Sequence, residues 1–231
     1  PVLQLRELII GNSFKLRSFS TSIGRLKHLK VIIVEFEVDS LPKEFCALES
    51  LEHLKLRAGR MSSLPTSFGD LTNLRHIDFA WCSKLGMLPV SCKQLIHLQH
   101  LDLSSCENLR LRSDMMENMT KLEYLRFSYC LKLEELPHHI TNQASLRELY
   151  ADSTRLQEIP SNIGVLRKLK VLKIGSPLLK ILPSSLENLS SLSQLVIDGC
   201  KILKSLSISV GRLNMLKKLR IASSAVESLP E

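Results

Sequence analysis

Residues 122–144 read LEYLRFSYCLKLEELPHHITNQA, and variants of this stretch recur along the whole chain. The first six residues follow the pattern L-x-x-L-x-L, in which other apolar residues can replace leucine. The pattern begins at Leu5, Leu29, Leu51, Leu74, Leu98, Leu122, Leu146, Leu169, Leu192 and Leu216. Successive starts lie 22 to 24 residues apart. Ten matches at so narrow a spacing indicate an array of equivalent structural units.

Each unit predicts a short strand followed by a turn. In L-x-x-L-x-L, alternate residues point inward, and the strands of neighbouring units pair as one parallel sheet. One unit cannot bury its own leucines, so the stacking of units creates the core. We therefore predict an α/β fold, a right-handed horseshoe-shaped solenoid with ten parallel strands on its concave side. The whole chain, residues 1–231, is predicted to form a single domain.

A proline marks the place where most units turn towards the convex side. Seven of the nine prolines follow Leu or Ile at this place: Pro42, Pro65, Pro89, Pro137, Pro160, Pro183 and Pro230. Proline fixes φ and cannot lie inside a central strand, so short helical or 3₁₀ pieces are expected on the convex side. Three units depart from the rule, with Phe19-Ser20, Arg112-Ser113 and Leu206-Ser207. Since Arg112 stands where an inward leucine is expected, the register of the fifth unit stays open through Asp114-Met115-Met116.

The units resemble the leucine-rich repeats of plant intracellular immune receptors, the nucleotide-binding leucine-rich repeat class. The phrase IPSNIGVL at residues 159–166 is typical of that class, as is cysteine at the inward turn after the strand. The resemblance covers the whole chain. It implies a cytoplasmic receptor, with the nucleus as a second compartment, that serves disease resistance and innate immunity in plants. Its repeats are expected to recognise a pathogen-derived or guarded host protein.

The resemblance also implies that the repeats hold the receptor's own nucleotide-binding domain inactive. No G-x-x-x-x-G-K-[ST] phosphate-binding loop occurs in the sequence,. The nucleotide switch is therefore expected outside these residues, and the chain is interpreted as a fragment of a longer protein.

Two other repeat classes remain as alternatives. Ras-group repeats, which act as scaffolds assembling signalling proteins, also use Leu-Pro-x-x-Ile, although they usually carry asparagine at the inward turn. The sequence upstream of Pro1 would separate this class from the first. Extracellular plant receptors have a glycine two residues before Ile-Pro. The Ile159-Pro160 pair has Gln157 at that position, and Gly86, before Leu88-Pro89, is the single glycine found there among the turn pairs. The sequons at Asn118 and Asn188 are short patterns that arise readily by chance,.

Four of the six cysteines share one position of the unit, just after the strand: Cys82, Cys106, Cys130 and Cys200. Asparagine usually occupies this position and hydrogen-bonds the neighbouring backbone from inside the turn. A thiol is a small group that fits the same place as a weaker donor. We predict that these four thiols are buried and reduced, although adjacent strands about 5 Å apart bring consecutive thiols near disulfide range.

No pattern of catalytic or metal-binding residues occurs in the sequence. The motifs C-x-x-C, H-E-x-x-H and G-x-S-x-G are all missing,. His138-His139 follow Pro137 and are interpreted as a solvated pair on a convex turn. We therefore expect no enzymatic activity, no metal and no cofactor. No apolar run approaches the roughly 18 residues that span a bilayer, so no membrane partner is expected.

The charge pattern argues against nucleic acid as a partner. Lysine and arginine exceed aspartate and glutamate by 31 to 23, which gives a formal net charge of +8. At the predicted concave positions, however, twelve basic and nine acidic residues are interspersed. A nucleic-acid tract needs concentrated positive charge together with stacking platforms.

The concave positions favour a protein ligand instead. The one Trp and all three Tyr fall at outward positions, and three histidines align with one tyrosine in successive units. Trp, Tyr and Arg are the residue types that dominate interface hot spots. We predict a partner-binding site formed by His53, Arg57, His76, Asp78, Trp81, His100, Asp102, Tyr124, Arg126, Tyr129 and Tyr150.

Overall fold

Ten strands form one parallel sheet whose spatial order is the order of the sequence. The computed structural model describes residues 3–11, 17–35, 37–206 and 208–229. The strands are β1 Glu7–Ile10, β2 Val31–Val34, β3 His53–Leu56, β4 His76–Asp78, β5 His100–Asp102, β6 Tyr124–Arg126, β7 Glu148–Ala151, β8 Val171–Ile174, β9 Gln194–Asp198 and β10 Lys218–Ala222. The predicted α/β repeat solenoid with ten parallel strands is confirmed.

The inward leucines stack into a continuous core because equivalent residues pair across the sheet. Leu54, Ile77, Leu101 and Leu125 are consecutive partners in the register, and all four are buried. Each therefore packs beneath its counterpart in the next unit, which no single unit could achieve. The core leucines of the terminal units have a neighbour on one side only. Leu5 and Leu216 are accordingly only partly buried.

The Leu-Pro pairs begin the convex segments as the sequence predicts. Pro42, Pro89 and Pro183 have φ of −68°, −65° and −69°, and each precedes a 3₁₀ helix. In the first unit, Ser20 replaces proline and its Oγ accepts a hydrogen bond from the Ser22 amide at 3.3 Å. The described 3₁₀ helices are Thr21–Arg25, Lys43–Ala47, Phe68–Asp70, Val90–Gln94, His138–Asn142, Ile163–Val165 and Ser184–Asn188.

Steric crowding requires glycine at the second position of the Ile-Gly pair. A Cβ on Gly164 would overlap the carbonyl oxygen of Ser185, which belongs to the 3₁₀ helix of the next unit. The same overlap would occur between Gly69 and the carbonyl oxygen of Ser91. Glycine therefore lets neighbouring convex helices stack closely.

The fifth unit keeps its strand register although Arg112 replaces an inward leucine. The Arg112 side chain stays outside the core, and its Nε lies 3.0 Å from Asp114 Oδ1. Met115, Met116 and Met119 are buried in its place, which suits the adaptable shape of methionine,. Residues 113–118 form turns instead of a 3₁₀ helix. The register of the fifth unit, which the sequence left open, therefore continues unchanged from β5 to β6.

One short α-helix, Ile208–Gly211, closes the convex side of the ninth unit. None of the helices in the described part of the chain is long and apolar enough to cross a membrane.

Candidate partner-binding site

The outward face of the sheet, called here the concave face, carries a stack of four rings. His53, His76, His100 and Tyr124 are consecutive partners in the strand register, as the sequence predicts. The ring centroids of His76 and His100 lie 3.9 Å apart with planes 10° from parallel. Those of His100 and Tyr124 lie 4.0 Å apart at 5°. His53 adds a looser contact with His76 at 5.6 Å. We call these four residues the ring stack.

The two central imidazoles of the ring stack, His76 and His100, are neutral at neutral pH. Burial, together with the neighbouring His100 and His53, lowers the pKa of His76 to about 4, and the smaller opposing effects of Asp78 and Asp102 do not offset this. Burial likewise lowers the pKa of His100. Both imidazoles are therefore uncharged, and the stack presents a flat surface to a partner.

A second outward row runs beside the ring stack through Asp78, Asp102, Arg126 and Tyr150. Asp102 is only 9% exposed, and its Oδ1 accepts a hydrogen bond from the Ser104 amide at 2.8 Å. Its Oδ2 lies 3.9 Å from Arg126 Nη1, and the Arg126 guanidinium lies 5.7 Å from the centroid of the Tyr150 ring. Asp102 therefore supports Arg126 from below, while Arg126 and Tyr150 form the surface.

The two ends of this row are also held by neighbouring groups. Tyr150 donates a hydrogen bond to Glu148 Oε2 at 2.6 Å. Asp78 accepts one from the Ala80 amide at 3.0 Å and lies 3.8 Å from the Lys55 ammonium. These contacts fix the side chains before any partner arrives, which reduces the entropy cost of binding.

Two large aromatic residues stand on the turns that follow β4 and β6. Trp81 and Tyr129 have φ of 70° and 62°, in the left-handed region that bulky residues rarely adopt,. Their side chains are 63% and 53% exposed. Ser105, on the turn between them, has φ of 58° but is buried.

Backbone hydrogen bonds place these three turn residues side by side. The Trp81 amide donates to the Ser104 carbonyl at 2.8 Å, and the Ser105 amide donates to the Ser128 carbonyl, next to Tyr129, at 2.8 Å. Since Ser105 is small, an open slot remains between the two rings. We call it the aromatic slot. It is a depression of about 560 Å³ lined by Ala80, Trp81, Asp102, Ser104, Ser105, Glu107, Arg126, Tyr129 and Leu131.

The structure thus divides the predicted site into three neighbouring groups. The ring stack lies on β3 to β6, the second row on β4 to β7, and the aromatic slot beyond the strand ends. Arg57 lies at the N-terminal margin, just after β3, and is exposed.

Several residues of the site were not predicted from the sequence. Ser104, Ser105, Glu107 and Leu131 line the aromatic slot but belong to the turn, outside L-x-x-L-x-L. The buried Asp152 also supports this region, because it accepts a hydrogen bond from Ser128 Oγ at 2.6 Å and pairs with Lys173 at 3.0 Å.

The cysteine position is structural. Sγ of Cys106 donates to the Phe79 carbonyl at 3.3 Å, and Sγ of Cys130 donates to the Leu103 carbonyl at 3.1 Å. Cys82 reaches the Leu56 carbonyl at 3.6 Å. All six thiols are free and buried, as predicted for four of them. Burial raises the pKa of Cys82 and Cys130 to about 12. In the described ranges, no group of three or more His, Cys, Asp or Glu is placed to hold a metal ion.

Comparison with known families and sequences agrees with this architecture. A family model described as a leucine-rich repeat region matches residues 2–127 and 97–231. Among curated proteins, a protein of Arabidopsis thaliana whose name describes it as a disease resistance protein is 33% identical over 84 residues. That match spans 35% of this chain but only 9% of the relative.

Solved structures are similar over nearly the whole chain. A leucine-rich repeat protein of Leptospira interrogans has a TM-score of 0.54 at 24% identity, covering 99% of this chain and 70% of its own. The ectodomain of the Arabidopsis thaliana receptor kinase GASSHO1/SCHENGEN3, solved with Casparian strip integrity factor 2, has a TM-score of 0.59 at 19% identity, covering 99% and 28%. The PEPR1–AtPEP1 complex has a TM-score of 0.67 at 22% identity, covering 95% and 35%. At these identities the likeness concerns the fold.

Proposed function

This chain belongs to the leucine-rich repeat family, and we propose on that premise that the centre of its concave face binds a protein partner. The observation that carries the proposal is the exposure of Trp81 and Tyr129 in a disfavoured backbone conformation. Rings placed in this way contribute little to the core and cost about 1–2 kcal/mol of backbone strain each. Residues held at such a cost cluster where function requires them.

The extent and chemistry of the surface support a protein ligand. Strands β3 to β7 carry the three groups of the site, and strands about 5 Å apart make this surface roughly 20 Å across. His76, His100 and Tyr124 supply a flat, uncharged centre. Trp81, Tyr124, Arg126 and Tyr129 are hot-spot residue types. A surface of this size fits a protein epitope and is shallow for a small metabolite.

Two of the structural neighbours were solved with peptide or protein ligands, which supports the same class of partner for this chain. The fold is that of an interaction scaffold, and we propose no catalytic role for it.

The finer part of the proposal is that this chain is the recognition and autoinhibition module of a cytoplasmic plant immune receptor. It is supported by the match to a protein named for disease resistance and by the Leu-Pro-x-x-Ile-Gly phrase. Its partners would then be a pathogen-derived or guarded host protein and the receptor's own nucleotide-binding domain. A phosphate-binding-loop domain encoded next to Pro1 is the expected result, and its absence there would favour a Ras-group scaffold.

Variant-dependent capture tests the proposed surface. The 231-residue chain is immobilised and proteins that bind it from a cell extract are quantified, in parallel with Trp81→Ala and Ile181→Ala. Ile181 is 70% exposed and lies outside the strands, so it is a matched apolar control. We expect a partner that is retained by wild type and Ile181→Ala but lost with Trp81→Ala. Loss of the same partner with Ile181→Ala alone would place the binding surface elsewhere.

A further inference from the structure

We propose that the aromatic slot accepts a lysine or arginine side chain of the partner, held between the rings of Trp81 and Tyr129. This inference rests on the proposed function and names the chemistry that the site recognises. The slot is formed by the two turn aromatics, with Ser105 between them and carboxylates at its floor and rim.

The spacing of the two turns fits a cation. Trp81 and Tyr129 follow β4 and β6, which are separated by the single strand β5. Two strand spacings set the two turn residues about 10 Å apart, so a group midway between them lies about 5 Å from each. A cation interacts with an aromatic ring up to about 6 Å from its centroid, and Trp is the strongest partner. The buried Ser105 leaves the space between the rings free.

The charges around the slot also favour a cation. Glu107 is exposed at the rim and forms no ion pair within the described residues. Asp102 lies at the floor, and its Oδ2 has Arg126 as a distant neighbour at 3.9 Å. Two carboxylates against one guanidinium leave the slot with a net charge of −1, on a chain whose formal net charge is +8.

Arg126 lines the slot but has partners of its own. Its Nε donates to Ser128 Oγ at 3.3 Å, and its guanidinium lies over the Tyr150 ring. It therefore neutralises part of the Asp102 charge and is itself held by Ser128 and Tyr150. Glu107 remains the unpaired charge that a guest cation meets.

The backbone supports the assignment of both rings to binding. At the equivalent turn positions, the chain uses the small residues Ser105, Ser153, Gly199 and Ser223. These residues accept the left-handed conformation at lower cost than Trp or Tyr. Among the described residues with this conformation, Trp81 and Tyr129 are the two large exceptions, and both line the slot.

Fluorescence of Trp81, the one tryptophan of the chain, reports occupation of the slot directly. The 231-residue chain is titrated with N-acetyl-arginine methylamide, with its neutral isostere N-acetyl-citrulline methylamide, and with the anionic N-acetyl-glutamate methylamide. We expect saturable quenching by the arginine probe, with an affinity about fivefold above that for the citrulline probe.

Variants separate the contributions of the Tyr129 ring and of the Glu107 carboxylate to the affinity for the arginine probe. Tyr129→Ser should abolish saturable binding of the arginine probe because it removes one wall. Glu107→Gln should weaken that binding about threefold, because it removes the unpaired charge. Glu134→Gln makes the same chemical change at an exposed residue outside the slot and should leave the affinity unaltered. Thermal melting of each variant verifies that the fold is kept.

Three results would overturn the inference. Tighter binding of the glutamate probe would show that Arg126 selects an anion. Equal affinity for arginine and citrulline probes would show that charge plays no part. No saturable quenching by the arginine probe would show that the slot is not a site. The probe titrations need no protein partner, so they test the slot alone. The proposed function is tested separately, by whether Trp81→Ala loses a captured protein.

Discussion

At the scale of single residues, the backbone conformation after β4 and β6 costs folding free energy and at the same time exposes two aromatic rings for binding. The left-handed conformation of Trp81 and Tyr129 is one that asparagine, serine and glycine adopt at lower cost,. Both rings are mostly outside the core, so their removal deletes little packing. The side chains that we expect to bind are therefore ones that the fold does not need.

The first prediction concerns Trp81→Asn and Tyr129→Asn. Each substitution should leave the free energy of unfolding unchanged or raise it by up to about 1 kcal/mol, because strain is relieved. Urea unfolding followed by circular dichroism measures the change. A loss of more than about 2 kcal/mol would show that the rings stabilise the fold, as buried aromatics do.

The second prediction concerns the buried thiols at the same scale. Burial raises the pKa of Cys82 and Cys130 to about 12, so almost no thiolate exists at pH 8,. The four thiols of the repeat position should react slowly with an aromatic disulfide reagent in the native state, and all should react promptly in denaturant. Peptide mapping after timed quenching identifies which cysteines react. Rapid native labelling of Cys106 would contradict the inward position of this residue.

At the scale of elements, the in-register sheet turns a spacing in sequence into a row in space. That is why the leucine core and the ring stack could both be predicted from ten aligned units. The conformation of the turns could not, because L-x-x-L-x-L constrains which side chains point inward and says nothing about φ two residues after its end. The aromatic slot, with Ser105 and Glu107, was missed for that reason. The outward position of Arg112 was left open because methionines can fill a core space in several ways.

The third prediction is a pH dependence of stability that originates in the ring stack. The pKa of His76 falls to about 4 in the folded chain, against about 6.5 when unfolded,. The unfolded chain therefore binds the extra proton between these values, and stability is lost as pH falls from about 6.5 to 4. At pH 5 His76 should lower the free energy of unfolding by about 1–2 kcal/mol relative to neutral pH, allowing for the partial exposure of its side chain.

Matched variants isolate the histidine from the carboxylates that titrate nearby. Unfolding free energies at pH 7.5 and 5 are compared for wild type, His76→Phe and His28→Phe. His76→Phe should reduce the difference between the unfolding free energies at pH 7.5 and pH 5 by about 1–2 kcal/mol. Phenylalanine preserves a ring in the stack and takes no proton. The exposed His28 lies outside the stack and should leave the difference as in wild type. Equal differences between the two pH values in all three proteins would contradict a neutral, half-buried His76.

At the scale of the whole molecule, each internal unit is stabilised by its two neighbours and each terminal unit by one. The central units should therefore resist local unfolding better than the terminal units. Leu101 on β5 is 2% exposed, while the equivalent Leu219 on β10 is 39% exposed. Partly exposed leucines at the terminal units are also expected to make the isolated chain prone to association.

The fourth prediction compares these two leucines. Leu101→Ala should lower the free energy of unfolding by roughly 2–5 kcal/mol, because it leaves a cavity in the core. Leu219→Ala should lower it by about 1 kcal/mol or less, since the side chain is already partly solvated. Urea unfolding gives both values, and amide hydrogen exchange should show faster opening of β10 than of β5. Equal costs at the two sites would contradict a stack held together by nearest neighbours.

The central claim is that the concave centre binds a partner and is not part of the core. Isothermal titration of the partner that is captured by wild type and lost with Trp81→Ala measures this most directly, alongside thermal melting of every variant. Trp81→Ala and Tyr124→Ala should each weaken binding by about 2 kcal/mol or more, roughly thirtyfold, with almost unchanged melting temperature. Leu101→Ala should lower the melting temperature strongly. Aromatic variants that melt early but bind the partner with wild-type affinity would contradict the claim.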